Sequence, residues 1–235
     1  MIAGIHQPQY FPWIGYFDKI DRSDVFVLLD DVPFKKNEWQ NRNKIRTKDG
    51  WQWITVPVFH DFGQKIRDVA LDNQARWKRK HLSAIELNYS RAPFYDKYRG
   101  VLRDMFAREW RTLSDINAHI VRVISEQLGI DTRIIVSSEI NAPGEKTEHL
   151  INICSSIKAD RYLSGRDGPK YMDLQAFERA GIGVEIQDFQ HPSYPQRFAD
   201  NSGEFVPGMS IVDLLMNCGE KSLEMIRNTR KTERG

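Results

Sequence analysis

The chain has 235 residues, of which 40% are hydrophobic and 28% are charged, a size and composition typical of one large domain with a substantial core. Its 34 Lys and Arg nearly balance 32 Asp and Glu, so nucleic acid is not expected as a partner. The N-terminus lacks the pattern of a signal peptide, and no apolar run reaches about 18 residues. We therefore expect a cytoplasmic protein without a membrane span.

The first half of the chain alternates short apolar runs with helical patterns. Ile2 to Ile5 and Val25 to Leu29 are uninterrupted apolar runs, which favour strands buried on both faces of a parallel sheet. A helix is predicted between them, from Trp13 to Asp21. Residues 42–47 and 51–58 are predicted to pair as a hairpin around the turn at Asp49-Gly50.

Three helical patterns then cover residues 76–89, 93–109 and 112–128, and they predict a mainly helical insertion over about residues 59–130. In the third pattern, Thr112 and Asp115 have the spacing of a helix-capping pair. These helices interrupt the strand pattern, so the insertion is expected within one domain that spans residues 1–235.

The second half alternates regularly between strands and helices. The predicted order is strand 133–136, helix 146–157, strand 161–163, helix 171–180 and strand 183–186, followed by a helix over 210–217 and a basic tail that frays from Asn228. Two successive βαβ units favour a parallel sheet with right-handed crossovers. The predicted fold class is therefore α/β and Rossmann-like, with a mostly parallel sheet flanked by helices.

Polar residues follow each predicted strand of this sheet. The strand exits are His6-Gln7, Asp30-Asp31, Ser137-Ser138-Glu139, Ser164-Gly165 and Gln187-Asp188. Because ligands of open parallel sheets bind beyond the carboxyl ends of the strands, these exits predict the active site. Polar residues also end strands simply because loops meet water, and that interpretation stays open.

The loop after the first strand carries the densest set of candidates. His6 can exchange a proton near neutral pH, and Gln7 and Tyr10 accompany it. Phe11 and Trp13 are instead predicted to anchor the next helix in the core. The loop is spatially similar to the His-containing first loop of nucleotidylyltransferases, but the second His of that pattern is missing.

Two polar segments supply further candidates. In the first, Arg42 suits a phosphate or carboxylate, Asn41 and Asn43 suit sugar hydroxyls, and Trp39 suits a ring. The second is a basic helix start in which Lys78 and His81 share a face and can approach an anion. For both segments, a solvated surface is the alternative.

Motifs of other enzyme classes are absent from the sequence. The six histidines show no metal-ligand spacing, and neither Cys154 nor Cys218 lies in a metal or redox spacing, so no metal site is predicted. There is no Walker, complete dinucleotide-binding or GxSxG motif. No cofactor is therefore identified.

Several motifs recur together in one known pattern. They are His6 to Phe17 with Lys19, Trp39 to Asn43, Tyr162 to Gly165 with Tyr171 and Asp173, Tyr194 to Gln196, and Phe205 to Leu215. Over nearly its whole length the chain thereby resembles the WbqC-like family, with Pro33 as a departure where a glutamine is expected. The resemblance implies a role in O-antigen and lipopolysaccharide assembly, through modification of sugars rather than their polymerisation.

The residues and the resemblance together predict a site. The catalytic candidates are His6, His81 and Asp30, with His6 or His81 as the general base. The substrate-binding candidates are Gln7, Tyr10, Lys19, Lys35, Trp39, Asn41, Arg42, Asn43, Lys78, Ser138, Ser164, Gly165, Tyr171, Asp173 and Gln196.

The leading functional hypothesis is acyl or aminoacyl transfer to a nucleotide-linked amino sugar. One alternative is an ATP-dependent ligase or nucleotidyltransferase that uses ATP with magnesium, with Lys19 or Lys35 on the phosphates. Another is a noncatalytic sugar-nucleotide-binding protein. A nucleic-acid-binding module is disfavoured by the near-neutral charge, and a homodimer is compatible with the sequence.

Overall fold

The computed structural model describes residues 1–199 and 204–230. Its centre is a parallel sheet of five strands, β1 (Ile2–His6), β2 (Val25–Leu28), β7 (Arg133–Val136), β8 (Arg161–Ser164) and β9 (Gly183–Ile186). Their order across the sheet is β7-β2-β1-β8-β9. Each neighbouring pair is parallel, so the predicted Rossmann-like α/β class is confirmed.

The sheet is covered on both faces because side chains alternate along each strand. On one face, Ile5 and Val27 pack against α5 (Lys146–Ser156) and α6 (Leu174–Arg179). On the other face, Phe26 and Leu28 join a larger core. That core draws on α1 (Ile14–Asp21), α2 (Trp77–Tyr89), α3 (Tyr95–Ala107), α4 (Leu113–Leu128) and α7 (Ile211–Cys218).

Along the chain, two small antiparallel strand pairs come between β2 and β7 and form separate two-stranded sheets. The predicted hairpin is confirmed as β3 (Arg42–Thr47) and β4 (Gly50–Thr55), with Thr47 opposite Gly50. The strand predicted over residues 51–58 divides at Pro57, which has no N–H to donate to a ladder. Its last residue begins β5 (Val58–Phe59), which pairs with β6 (Ala70–Leu71).

Helix boundaries were predicted with mixed success. The cap of α4 is confirmed, since Thr112 and Asp115 bond each other's backbone N–H groups reciprocally. The helix expected from Tyr171 begins only at Leu174, because Asp173 caps it by accepting the Ala176 N–H. The extent of the insertion and the single-domain assignment stay predictions.

The C-terminal segment contains a helix that the sequence patterns did not indicate, α8 (Ser222–Arg227). The fraying predicted from Asn228 is wrong for residues 228–230, because the Arg230 guanidinium bonds Asp18 at 2.8 Å and Asp21 at 2.5 Å. Later residues of the tail lie outside the described ranges. Within the described ranges, no helix is both long and apolar enough to cross a membrane.

The loop from β1 to α1 is unusual because residues 8–12 are all buried. Its backbone polar groups therefore need partners inside the protein. The Tyr10 N–H donates to the Trp39 carbonyl at 3.1 Å, and the Ile211 N–H donates to the Pro12 carbonyl at 2.8 Å. Asn43 Nδ2 donates to the Phe11 carbonyl at 2.7 Å. The hairpin and α7 thus fasten this loop to the rest of the molecule.

The carboxylate of Asp213, on α7, connects the helices to the C-terminal loop. Asp213 is fully buried and accepts hydrogen bonds from Tyr89 Oη at 2.8 Å, Tyr194 Oη at 2.7 Å and Gln196 Nε2 at 2.7 Å. Burial raises the pKa of Asp213 in spite of these donors, which favour the charged form. Gln196, predicted as a substrate ligand, is thereby held in the interior.

We expect Asp213→Ala to reduce the free energy of unfolding by about 3–5 kcal/mol, because it leaves buried donors without an acceptor. Asp213→Asn keeps the shape and one acceptor, so its loss is expected to be smaller. Urea denaturation of both variants measures the difference. A loss below about 1 kcal/mol for Asp213→Ala would show that water or a rearrangement satisfies these donors.

Candidate functional site

The topological switch point of the sheet lies between β1 and β8. The chain passes from β1 to β2 on one side and from β8 to β9 on the other, so the loops after β1 and β8 diverge and leave a crevice. A cavity of about 400 Å³ occupies it, and we call it the switch-point pocket. Its walls are His6, Trp13, Gly15, Tyr16, Lys19, Gly165, Arg166, Asp167, Tyr171, Gln187 and Phe189.

His6 ends β1 at the edge of this pocket. Its Nδ1 lies 3.1 Å from the Gln7 carbonyl oxygen, which can only accept, so Nδ1 carries the proton and Nε2 is the basic nitrogen. Burial, followed by the charge of Lys19, lowers the pKa of His6 to about 4. At neutral pH the ring is therefore uncharged, and no described residue bonds its Nε2.

Lys19 projects from α1 toward the end of β1. Its side chain is only 2% exposed, and Nζ donates to the Ile5 carbonyl at 2.6 Å. Burial lowers the pKa of Lys19 to about 7. The resemblance pointed to Lys19, whereas Tyr16, on the same helix face, was missed although the i,i+3 spacing from Lys19 indicates it.

A second cavity of about 500 Å³ shares His6 and Trp13 with the first, and we call it the first-loop pocket. Its other walls are Gln7, Gln9, Lys35, Glu38, Trp39, Gln40 and Gly208. Gln40 Nε2 donates to Gln7 Oε1 at 2.7 Å, which orients both amides. The indole of Trp39 is 37% exposed. Three predicted ligands, Gln7, Lys35 and Trp39, therefore meet beside His6.

Several other predicted residues lie in the interior and outside both pockets. Tyr10 is fully buried and its hydroxyl lies 2.9 Å from His81 Nδ1. Asn41 Nδ2 donates to the Val56 carbonyl at 3.0 Å, and Asn43 serves the Phe11 carbonyl. These amides fasten backbone, which the sequence alone does not distinguish from binding a sugar.

Arg42, Lys78 and Asp173 also lie away from the two pockets. The Arg42 guanidinium stacks on Trp53, with its carbon 4.2 Å from the ring centre. Lys78 Nζ bonds the Arg108 carbonyl at 3.0 Å and Glu109 at 2.8 Å. The Asp173 carboxylate caps α6, as described above. Ser164 is buried beneath the Gly165 loop, and its hydroxyl donates to the Gly165 carbonyl at 3.1 Å.

Asp30 and Ser138 lie at the ends of β2 and β7, in a separate cavity of about 620 Å³. Asp30 is almost fully buried and accepts hydrogen bonds from Ser114 Oγ at 2.7 Å and Ser138 Oγ at 3.1 Å. The structure therefore divides the predicted strand exits between two places. His6 and Gly165 meet at the switch point, whereas Asp30 and Ser138 do not reach it.

The environment of His81 yields a prediction about acid stability. Burial is the main reason that the pKa of His81 falls from 6.5 to about 4. Since the unfolded state then binds a proton first, stability falls as the pH drops from about 6.5 to about 4, by up to about 1.4 kcal/mol per pH unit. We expect His81→Gln to remove this contribution.

Urea denaturation of the wild type and of His81→Gln at several pH values between 7.5 and 4.5 measures the two slopes. His6 contributes a slope of the same sign in both proteins, so only the difference reports on His81. Parallel slopes would contradict a neutral, buried His81.

Comparison with known proteins identifies the chain's relatives. The model of the WbqC-like protein family matches residues 7–225. A Mycobacterium tuberculosis (strain ATCC 25618 / H37Rv) protein named "Uncharacterized protein Rv1507c" is 37% identical over 236 residues, covering 97% of this chain and 99% of that protein. No solved structure matches the chain. The family match covers every wall residue of both pockets except His6, which directly precedes it, and the chain belongs to the WbqC-like protein family.

Proposed function

We propose that this protein is a sugar-modifying enzyme of bacterial surface-polysaccharide biosynthesis, and that it transfers an acyl or aminoacyl group to a nucleotide-linked amino sugar. The observation that carries the proposal is the position of His6, where two pockets meet. Its ring is uncharged at neutral pH, and no described residue bonds its Nε2. One pocket then receives the sugar and the other the nucleotide phosphates.

The first-loop pocket suits a hexose. Amide groups donate to and accept from hydroxyls at once, and Gln7 and Gln9 supply two of them, while the buried Gln40 orients Gln7. The buried Gln9 Oε1 has no partner in the described residues, so a ligand hydroxyl would satisfy it. The exposed ring of Trp39 offers an apolar face to the C–H face of a sugar.

The switch-point pocket suits the nucleotide phosphates. Gly165 follows β8 in a turn without a side chain, which lets backbone N–H groups approach an anion. Lys19 supplies positive charge at the opposite wall. Tyr171, 71% exposed at the rim, offers a ring for stacking on a base.

In the transfer step, the sugar amine forms a bond to the acyl carbon, and the bond from that carbon to its leaving group breaks. The attacking nitrogen must lose a proton, which His6 Nε2 accepts and then returns to the leaving group. An imidazole with a pKa near 4 is a weak base. It suits the acidic ammonium of a tetrahedral intermediate better than a free sugar ammonium.

The second candidate is an ATP-dependent ligase or nucleotidyltransferase of the same pathway. Two lysines favour it, since Lys19 and Lys35 lie in the two pockets that flank His6. It differs from the first proposal because it requires magnesium-dependent release of pyrophosphate or ADP. A noncatalytic sugar-binding protein would bind the sugar nucleotide and leave it unchanged.

A panel of nucleotide-linked amino sugars, and ATP with magnesium, should first be tested for thermal stabilisation. A ligand at about 100 times its dissociation constant adds about 2.7 kcal/mol, or roughly 5–10 °C in Tm for a chain of this length. Stabilisation by ATP with magnesium alone would contradict the acyl-transfer proposal and favour the ligase.

For a sugar nucleotide that binds, we expect His6→Gln to keep binding and to lower turnover about 10²-fold or more, since the proton acceptor is lost. His60→Gln is the matched control, because this ring packs on Phe34 outside both pockets. Single-turnover assays with an acyl donor measure the effect. Full turnover by His6→Gln would remove His6 as the base.

A further inference from the structure

Lys19 is a buried amine that lacks an acidic partner in the described residues. A protonated amine has three N–H donors, but Nζ has one acceptor, the Ile5 carbonyl at 2.6 Å. Burying a charge in this way is costly unless another charge balances it. Lys19 lines the switch-point pocket, where a ligand can supply that charge.

The titratable groups of the neighbouring elements do not supply it. His6 from β1 and Tyr16 from α1 are uncharged, since burial lowers the pKa of the histidine and raises that of the tyrosine. From α5, the Cys154 thiol has its pKa raised by burial to about 12 and stays protonated. From β8, burial likewise raises the pKa of Tyr162, whose ring lies 5.6 Å from Lys19 Nζ.

Asp18, next to Lys19 on α1, accepts hydrogen bonds from Arg230 at 2.8 Å and from Gln187 at 2.7 Å, and Glu185 on β9 pairs with Arg22. The loop after β8 brings further charged groups, and each has its own partner. Asp167 pairs with Lys170 at 2.6 Å, and Arg166 pairs with Asp188 at 3.1 Å. Tyr171, near Asp167, has a raised pKa because of burial and that carboxylate. The charge on Lys19 is therefore left to whatever enters the pocket.

We infer that the switch-point pocket binds its ligand through a phosphate-class anion beside Lys19, and that one proton is taken up on binding and held by Lys19 Nζ. This inference rests on the proposed function for the source of the anion, which would be the diphosphate of the sugar nucleotide. The anion attracts the ammonium form and so favours protonation of the amine.

The sign of the effect follows from linkage. Burial lowers the pKa of free Lys19 to about 7, so most molecules hold a neutral amine at pH 8. An anion that raises this pKa binds together with a proton, and its affinity falls up to about tenfold per pH unit above pH 7. Near pH 6 the amine is already charged, and uptake disappears.

The test is calorimetry of UDP-N-acetylglucosamine binding to the full chain, in buffers with different heats of ionisation. The probe is a diphosphate diester without a terminal phosphate to titrate, so the protons counted belong to the protein. We expect uptake of close to one proton at pH 8 and much less at pH 6. Binding at pH 8 without proton uptake would overturn the inference.

Two variants test whether Lys19 holds the proton that is taken up on binding. Lys19→Arg keeps a permanent charge, so binding should persist without uptake and without the loss of affinity above pH 7. Lys19→Met should abolish uptake and weaken binding at least tenfold at pH 7, while its thermal unfolding shows that the fold is kept. Uptake equal to wild type in either variant would place the proton elsewhere and refute the assignment.

A second measurement does not depend on the choice of nucleotide. The Lys19 amine can be titrated by ¹⁵N-detected NMR with and without sulfate, a tetrahedral anion that does not titrate between pH 6 and 9. An upward shift of the Lys19 titration supports the anion site. No shift with either sulfate or the sugar nucleotide refutes it, whereas proton uptake without acyl transfer would refute only the proposed function.

Discussion

The hydrogen bonds that hold the buried loop between β1 and α1 are the constraint on which the site depends. A buried backbone requires partners, and the amides of Asn43 and Asn117 reach the Phe11 and Pro8 carbonyls. Asn43 lies on the hairpin and Asn117 lies on α4. The part of the chain that follows β2 and precedes β7 therefore fixes one wall of both pockets, although it contributes no strand to the five-stranded sheet.

Burial also explains the electrostatics of this wall. The imidazole of His6 and the amine of Lys19 are both removed from water, and the charge of Lys19 further disfavours protonation of His6. Both bases are thus more easily found without their extra protons than they would be at the surface. An anion that enters such a site would favour the protonated form of a nearby base, so anion binding and proton uptake would be coupled.

The sheet could be predicted from the sequence because an apolar run such as Val25 to Leu29, followed by Asp30, marks a buried strand and its end. The hydrogen-bond partners of individual polar side chains could not be predicted from the sequence. Asn41 and Asn43 have the chemistry of sugar ligands, yet their amides serve backbone carbonyls of residues distant in sequence. His81 is similar, since only the folded chain brings Tyr10 to its ring. Gln7, Lys35 and Trp39 meet beside His6 because the loop after β1 is hydrogen-bonded to the segment that precedes β3.

The two walls of the switch-point pocket contribute differently to the stability of the fold. The wall after β8 is formed by exposed side chains such as Arg166 and Tyr171, and the surface ion pair between Arg166 and Asp188 contributes little stability. Gly168 is the exception, because a Cβ there would lie 1.9 Å from Ser164 Oγ. Substitutions in this wall can therefore change the shape and charge of the pocket while the core stays foldable. The opposite wall, formed by the buried loop after β1 and by α1, is part of the core, so a substitution there would also change the stability of the protein.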